Sequence, residues 1–468
     1  MSKIIKLFSS VDDVNTLLDE GCLSIEGHGI DMCVQFSYDM IAGYYVAKYI
    51  INANSTKKCL CEYISSHIKY LYGSERHTYA QDIIKNLLCL IPLKYGLPWW
   101  QLMQTKEIIS STIENIDCLL CDDSDARLFN NFIDQCLTSD LLKKKLCDRL
   151  FKRIYLEHNL SKFSYFIPFF RQLTPSEIDQ YWNSCFIEYS ILKQIEDLLY
   201  DEYAVNKYSF VDVVSCNMML CGVVVRSYKE KYHTLFFFYV LQHYNNSDIL
   251  SLLKNGLRIS DYAIFESLVS ILTGVAIRKE NLENTATIID VLEEYLRYYS
   301  SNCVLLLDAL ETLYSFVENK WGKVYDRTIL SKNQLEEWPV GDCRESDMFG
   351  LYDYDFEKFN IRPLYEMHYY TSVMTTPYSQ KDINGMLLSR CIRNGYDKDV
   401  CSQLNNQLRE VKYRSVPELN YGYKYGRFAL MELYGWLILN GIIKPLYSNT
   451  FRVELFDIDP TMPIFPTK

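Results

Sequence analysis

The stretch Ser260-Asp261-Tyr262-Ala263-Ile264-Phe265-Glu266-Ser267-Leu268-Val269-Ser270-Ile271-Leu272-Thr273-Gly274-Val275 reads as one amphipathic helix. Ser260 opens it, and Ile264, Leu268, Ile271, Leu272 and Val275 recur at intervals that place them on one helical face. The pattern returns in Ile288, Val291, Leu292, Tyr295 and Leu296, and again in Leu306, Leu310, Leu313 and Val317. Upstream, residues 247–255 form a short helix closed by Gly256. Thr174-Pro175-Ser176-Glu177 joins an N-cap, a proline at the first helical position and a reciprocal acid. Helices in such succession, joined by short connections, predict a mainly α chain whose residues 53–321 stack as a HEAT- or TPR-like solenoid. No clean period of about 34 or 40 residues runs through it, so any repeat is degenerate.

Residues 1–52 read differently. Ser10 starts a helix with Asp13 as its capping acid, and Gly21 ends it. Residues 23–26 and 31–36 read as short strands around Gly27-His28-Gly29, and a second helix follows over 38–51, with Ile41, Tyr44, Tyr45 and Lys48 at helical spacing. Helix, strand, turn, strand, helix is the outline of the end of a winged helix. After Trp321 the composition turns to Asp, Glu, Tyr and Phe, broken by Pro339 and Pro363. Residues 322–468 therefore read as an aromatic-rich, mixed C-terminal cap, with helices expected over 380–394 and 425–440.

The chain has 468 residues, and its 49% hydrophobic and 23% charged content is that of a folded protein, which excludes a disordered or fibrous one. With 48 basic against 59 acidic side chains the net charge is −11, and no basic block exists to hold a phosphate backbone. The uncharged candidate at residues 213–225 falls far short of the roughly 20 apolar residues a membrane span needs, and no signal sequence opens the chain. A cytoplasmic location follows, in which the 16 Cys act as small buried hydrophobes. The 39 Tyr reflect either an AT-rich genome or a surface built for specific contact.

Catalytic patterns are missing from the sequence. It has no GxxxxGK[ST] loop, no HExxH and no GxSxG. Gly422, Lys424 and Gly426 lack the preceding strand that a phosphate loop requires. Cys118 and Cys121 make a CxxC, but Cys136 and Cys147 follow at irregular distances, and the pairs Cys59 with Cys61 and Cys216 with Cys221 are weaker still. Structural zinc needs two tight pairs, so no metal is expected. The histidines (His28, His67, His77, His158, His233, His243, His368) are scattered. Asp353, Asp355 and Glu357 lack the glycine and terminal glutamate of an EF-hand. Neither catalysis nor a cofactor is expected. An aromatic surface remains, drawn from Tyr352, Tyr354, Tyr365 and Tyr369.

Several segments, taken in order, resemble the large antiviral STAND NTPases of the Avs type. Phe36-Ser37-Tyr38 with Ala47-Lys48-Tyr49-Ile50 is similar to the close of their winged helix. Leu87, Pro92, Tyr95 and Gly96 resemble the segment that follows. Ile178-Asp179-Gln180-Tyr181-Trp182 is similar to a further one, with Ile178 where arginine is usual; Asp261-Tyr262 with Glu266 and Gly274 resembles the next. The sharpest likeness is Gly422-Tyr423-Lys424-Tyr425 with Ala429-Leu430-Met431-Glu432-Leu433, where Arg427 replaces the usual tryptophan. The resemblance implies a winged-helix end plus a helical-repeat sensor, without the P-loop module and effector, which would be supplied in cis or by a separate chain. It also implies a viral protein partner, such as a terminase or portal, and an oligomer formed only with the NTPase half. Lys424, Tyr425 and Glu432 become candidate binding residues on this ground; a cap locked onto the solenoid is the other reading of the same three. A scaffold for host proteins is the alternative function.

Overall fold

The computed structural model describes residues 11–26, 33–73, 75–120, 126–188, 208–222, 226–243, 247–299, 303–331, 351, 361, 378–410 and 421–442. It is mainly helical, and its contacts divide it into two compact units, Met1–Arg149 and Leu150–Lys468. The division falls between Arg149 and Leu150.

In the first unit a helix, Val11–Asp19, ends at Gly21, whose φ of +70° suits a residue without a Cβ. Strands Leu23–Glu26 and Cys33–Phe36 then pair antiparallel, Leu23 opposite Phe36 and Glu26 opposite Cys33. The capping Ser10 and the turn at Gly27 lie outside the described residues. Helix Asp39–Ala53 follows, and its buried side is Ala42, Gly43, Ala47, Ile50 and Ile51 rather than the Tyr44 and Lys48 side, which faces solvent. Small residues are buried there because this helix packs closely on helix Ala80–Tyr95, with Gly43 against Asp82. Lys94 and Tyr95 close the contact by donating to the carbonyls of Ile51 (2.5 Å) and Asn54 (2.7 Å) at the end of the first helix.

In the second unit the expected apolar stripes are found in the core. Ile264, Leu268, Ile271, Leu272 and Val275 are wholly buried in helix Tyr262–Lys279. Leu306, Leu310, Leu313 and Val317 are equally so in helix Val304–Trp321. Helix Phe210–Leu220 packs on Arg226–His243 and Ser247–Gly256, helix Tyr262–Lys279 packs on all three and on Leu282–Tyr299 and Val304–Trp321, and these last two pack on each other. The Thr174 capping box forms as expected, with the Thr174 hydroxyl accepting from Glu177 N and the Glu177 carboxylate accepting from Thr174 N (2.8 Å). That turn runs on into a π-helical segment, Ile178–Asn183.

Two helix starts differ from the sequence reading. The cap of helix Tyr262–Lys279 is Asp261, not Ser260: its Oδ1 accepts from Ala263 N (2.9 Å) and Ile264 N (3.0 Å). The last helix spans Tyr421–Leu439 and so begins a turn before Tyr425, because Asn405 accepts from Tyr421 N (2.8 Å) and satisfies an orphan donor from another helix. This helix is buried along nearly its whole length. It lies among helices Tyr262–Lys279, Val304–Trp321, Gln380–Arg393 and Lys398–Glu410. The segment expected as a cap thus supplies the central helix of the unit. Among the described residues no helix is long and apolar enough to cross a membrane.

The close approach at Gly43 gives a direct test of the first unit's packing. An added Cβ would lie 2.3 Å from Asp82 Cβ and 2.7 Å from the Asp82 carbonyl carbon, so the helices must part. Gly43→Ala is expected to destabilise the first unit by about 1–3 kcal/mol despite alanine's better helix propensity, read as a lowered urea midpoint by circular dichroism.

Candidate functional site

The strongest concentration of charge inside the protein lies where three separate segments meet in the second unit. The π-helical turn brings Asp179 and Asn183, the start of helix Tyr262–Lys279 brings Asp261, and the last helix brings Tyr421, Lys424 and Tyr425. Lys424 Nζ donates to Asp179 Oδ1 (2.5 Å) and to Asp261 Oδ2 (2.7 Å). Asn183 Nδ2 donates to the same two oxygens, at 2.8 and 3.3 Å. Tyr425 OH donates to the other oxygen of Asp179 (2.6 Å), and Tyr421 OH to the Asn183 carbonyl (3.1 Å). Asp179 is 0% exposed, Asp261 1% and Lys424 9%.

Burial and pairing compete at each of these groups. Burial pushes the Asp179 carboxyl up, and the nearby Asp261 charge adds to this; Lys424 pulls it down without prevailing. Burial also acts on Asp261, but Lys424, the Ile264 N–H and the Asn183 amide outweigh it and hold this carboxyl below its usual range. Burial would discharge Lys424, and the two carboxylates more than restore its charge. Burial keeps Tyr421 and Tyr425 well above the ordinary phenol range, as neutral hydroxyls.

A second ring of pairs surrounds the first on the same helix. Glu432, 4% exposed, accepts a two-pronged contact from Arg390 (2.7 and 2.6 Å) and a bond from Asn394 Nδ2 (2.8 Å). Tyr262 OH donates to the Asn394 carbonyl (2.8 Å), and Arg427 donates to Glu266 (2.8 Å). Tyr262 stacks on Phe428 at 4.1 Å and meets Tyr425 edge-on at 5.8 Å. Trp182 donates its indole N–H to the Met219 carbonyl (3.1 Å) inside a cage of Phe151, Phe163, Phe170 and Phe186.

Three of the candidate binding residues, Lys424, Tyr425 and Glu432, therefore sit in one buried assembly. Tyr352, Tyr354, Tyr365 and Tyr369 lie outside the described residues, as do Asp353, Asp355 and Glu357. Gly422, Lys424 and Gly426 are helical, so they shape no phosphate loop. Asp179, Asp261, Asn183 and Arg390 are the partners that sequence reasoning did not assign. The one available signal was an acid immediately before an aromatic helix start, at Asp261-Tyr262. Cys118 is on helix Ile116–Leu120 and Cys121 lies outside the described residues; Cys136 and Cys147 are buried thiols. His233 is a core residue whose ring nitrogen meets the Ser267 carbonyl at 3.2 Å. Among the described residues no three His, Cys, Asp or Glu side chains gather as a metal site.

With its carboxylates and ammonium shut from solvent, the cluster offers nothing for a substrate to touch. What it does is join three segments whose members are up to 246 residues apart in sequence. No protein-family model, curated protein or solved structure matches the chain.

Removing one partner of such a cluster strands the others. Lys424→Met leaves the two buried aspartates without their cation and is expected to cost the second unit about 3–5 kcal/mol. Glu432→Gln keeps one acceptor for Arg390 and is expected to cost about 1–3 kcal/mol. Urea unfolding followed by far-ultraviolet circular dichroism measures both. A loss below about 1 kcal/mol for Lys424→Met would show that the unit does not depend on this cluster.

Proposed function

We propose that this chain is the recognition region of an antiviral STAND protein of the Avs type, binding a viral protein through its helical surface without chemistry of its own. One observation carries the reading. Among the residues that bear the resemblance, Asp179, Asp261, Tyr262, Lys424, Tyr425 and Glu432 come from three distant segments of the second unit, yet they join in one set of hydrogen bonds, ion pairs and ring contacts. Matches arising from composition would have no reason to meet in space.

On this reading Lys424, Tyr425 and Glu432 are frame residues, and the partner is read by side chains that the frame holds in place. The mutual packing of helices Tyr262–Lys279, Leu282–Tyr299 and Val304–Trp321 supports a degenerate helical repeat, whose surface suits the shape of another protein. The order helix, strand, strand, helix in residues 11–53 supports a winged-helix end. NTPase and effector functions would then belong to another module, in cis or as a separate chain, and oligomerisation to that half.

A tagged chain expressed in cells before and during phage infection tests the proposal, with bound proteins identified by mass spectrometry and rebound after purification. The expected result is one phage packaging or vertex protein, a terminase or portal, captured only during infection and bound directly by the purified chain. Substituting alanine at Tyr352, Tyr354, Tyr365 and Tyr369 is expected to weaken that binding about tenfold or more, as loss of interface anchors does. The same host proteins captured with and without infection would replace the proposal by a host scaffold.

A further inference from the structure

Two carboxylates and one ammonium do not sum to zero. Asp179, Asp261 and Lys424 are all within hydrogen-bonding distance of one another through Lys424 Nζ, and all are buried. With every group ionised the cluster would carry one uncompensated negative charge out of reach of water, a costly state that a protein relieves by taking up a proton. Among the described residues the cation paired with these two carboxyls is Lys424. Arg427 is engaged with Glu266 and Arg390 with Glu432. The other groups facing the site are Tyr421 and Tyr425 from the last helix, Cys401 from helix Lys398–Glu410, and Cys185 beyond the π-helical turn. Burial keeps Tyr421, Tyr425 and Cys401 neutral, and Asp397 acts on Cys401 and Tyr396.

Geometry also says which carboxyl takes the proton. Asp261 is filled as an acceptor: its Oδ1 receives two backbone N–H groups at the start of an 18-residue helix, where the helix dipole favours negative charge, and its Oδ2 receives Lys424 and Asn183. Asp179 receives no backbone N–H. Its Oδ1 holds Lys424 and Asn183, while Oδ2 faces only the hydroxyl of Tyr425, a group that accepts as readily as it donates. A proton on Oδ2 reverses the bond that Tyr425 donates to the carboxylate, with the Tyr425 oxygen as acceptor at 2.6 Å. The direction in which burial moves the Asp179 carboxyl agrees with this placement.

We infer that Asp179 is a neutral carboxylic acid in the folded protein at neutral pH, and that the seat of the last helix is a proton-dependent latch, tight when Asp179 is protonated and loosened as alkali removes the proton. Unfolding at pH 7 then exposes Asp179 to water, where an aspartate ionises near pH 3.9, and releases the proton. Stability from this group is fully present below that unfolded value and declines as pH rises toward the folded one. Asp261 has the opposite sign, contributing stability that is lost only as pH falls through its depressed value.

Asp179→Asn separates the possibilities, because an amide copies a neutral acid: its oxygen accepts from Lys424 and Asn183 and its NH2 donates to Tyr425. The full chain with Asp179→Asn is expected to melt within about 3 °C of the parent at pH 7 and above it at pH 9, with a flatter pH dependence. Asp261→Asn, which puts donors where only acceptors fit, is expected to melt roughly 5 °C or more lower throughout. Urea unfolding at pH 7 in weak buffer with an indicator dye supplies an independent count, with the parent expected to release about one proton more than Asp179→Asn. Equal proton release by the two proteins would overturn the assignment. So would an Asp179→Asn chain that melts as low as Asp261→Asn or does not fold, since both outcomes mean the site requires a carboxylate.

Discussion

The second unit is organised around one ammonium group held between two buried aspartates. Lys424 reaches Asp179 in the π-helical turn and Asp261 at the cap of another helix, so a single side chain ties the last helix to two segments far back in the sequence. Hydrophobic burial alone would let helix Tyr421–Leu439 slide or rotate among its neighbours, since apolar contact has no preferred direction. A buried charge permits no such freedom, because each displacement leaves an ion unpaired in a medium that does not solvate it. The cluster thus selects one seat for a helix that is otherwise apolar nearly all round.

The surrounding contacts follow from that seat. Once Lys424 is placed, helical spacing carries Arg427 to Glu266, Phe428 onto Tyr262, and Glu432, two turns on, to Arg390 and Asn394. Tyr262 then returns to the Asn394 carbonyl and closes the ring of contacts. The π-helical turn has a similar logic. Its wider hydrogen bonds, such as Ser184 N to the Asp179 carbonyl at 3.0 Å, place Asp179, Trp182 and Asn183 together on buried faces. A turn of this kind is rarely formed without a reason, and here the reason is that three side chains must serve one site.

Much of the local structure was legible in the residues. The Thr174 capping box, the stop at Gly21 and the apolar stripes of the long helices each depend on neighbours within about one or two turns, and each formed as read. The misplaced boundaries fail for one physical cause. Tyr421 begins its helix because Asn405 accepts its N–H, and Asp261 rather than Ser260 is the cap because its second oxygen is held by Lys424. The side of helix Asp39–Ala53 that is buried was likewise decided by Asp82 on a facing helix, against a pattern that drew attention to Tyr44 and Lys48.

By itself, then, the sequence determined that the chain is mainly helical, where most helices run, and which stripes are apolar, because periodicity and capping are short-range properties. It also marked Lys424, Tyr425 and Glu432 as a group, since seven or eight residues along a helix return to one face. Only the tertiary structure decided what they meet. Asp179 and Asp261 are ordinary acids in the sequence, one within a helix and one at a helix start, and nothing near them announces a lysine. Their pairing is created when distant segments close on a common core, and the imbalance of charge becomes costly only once water has been excluded from all three.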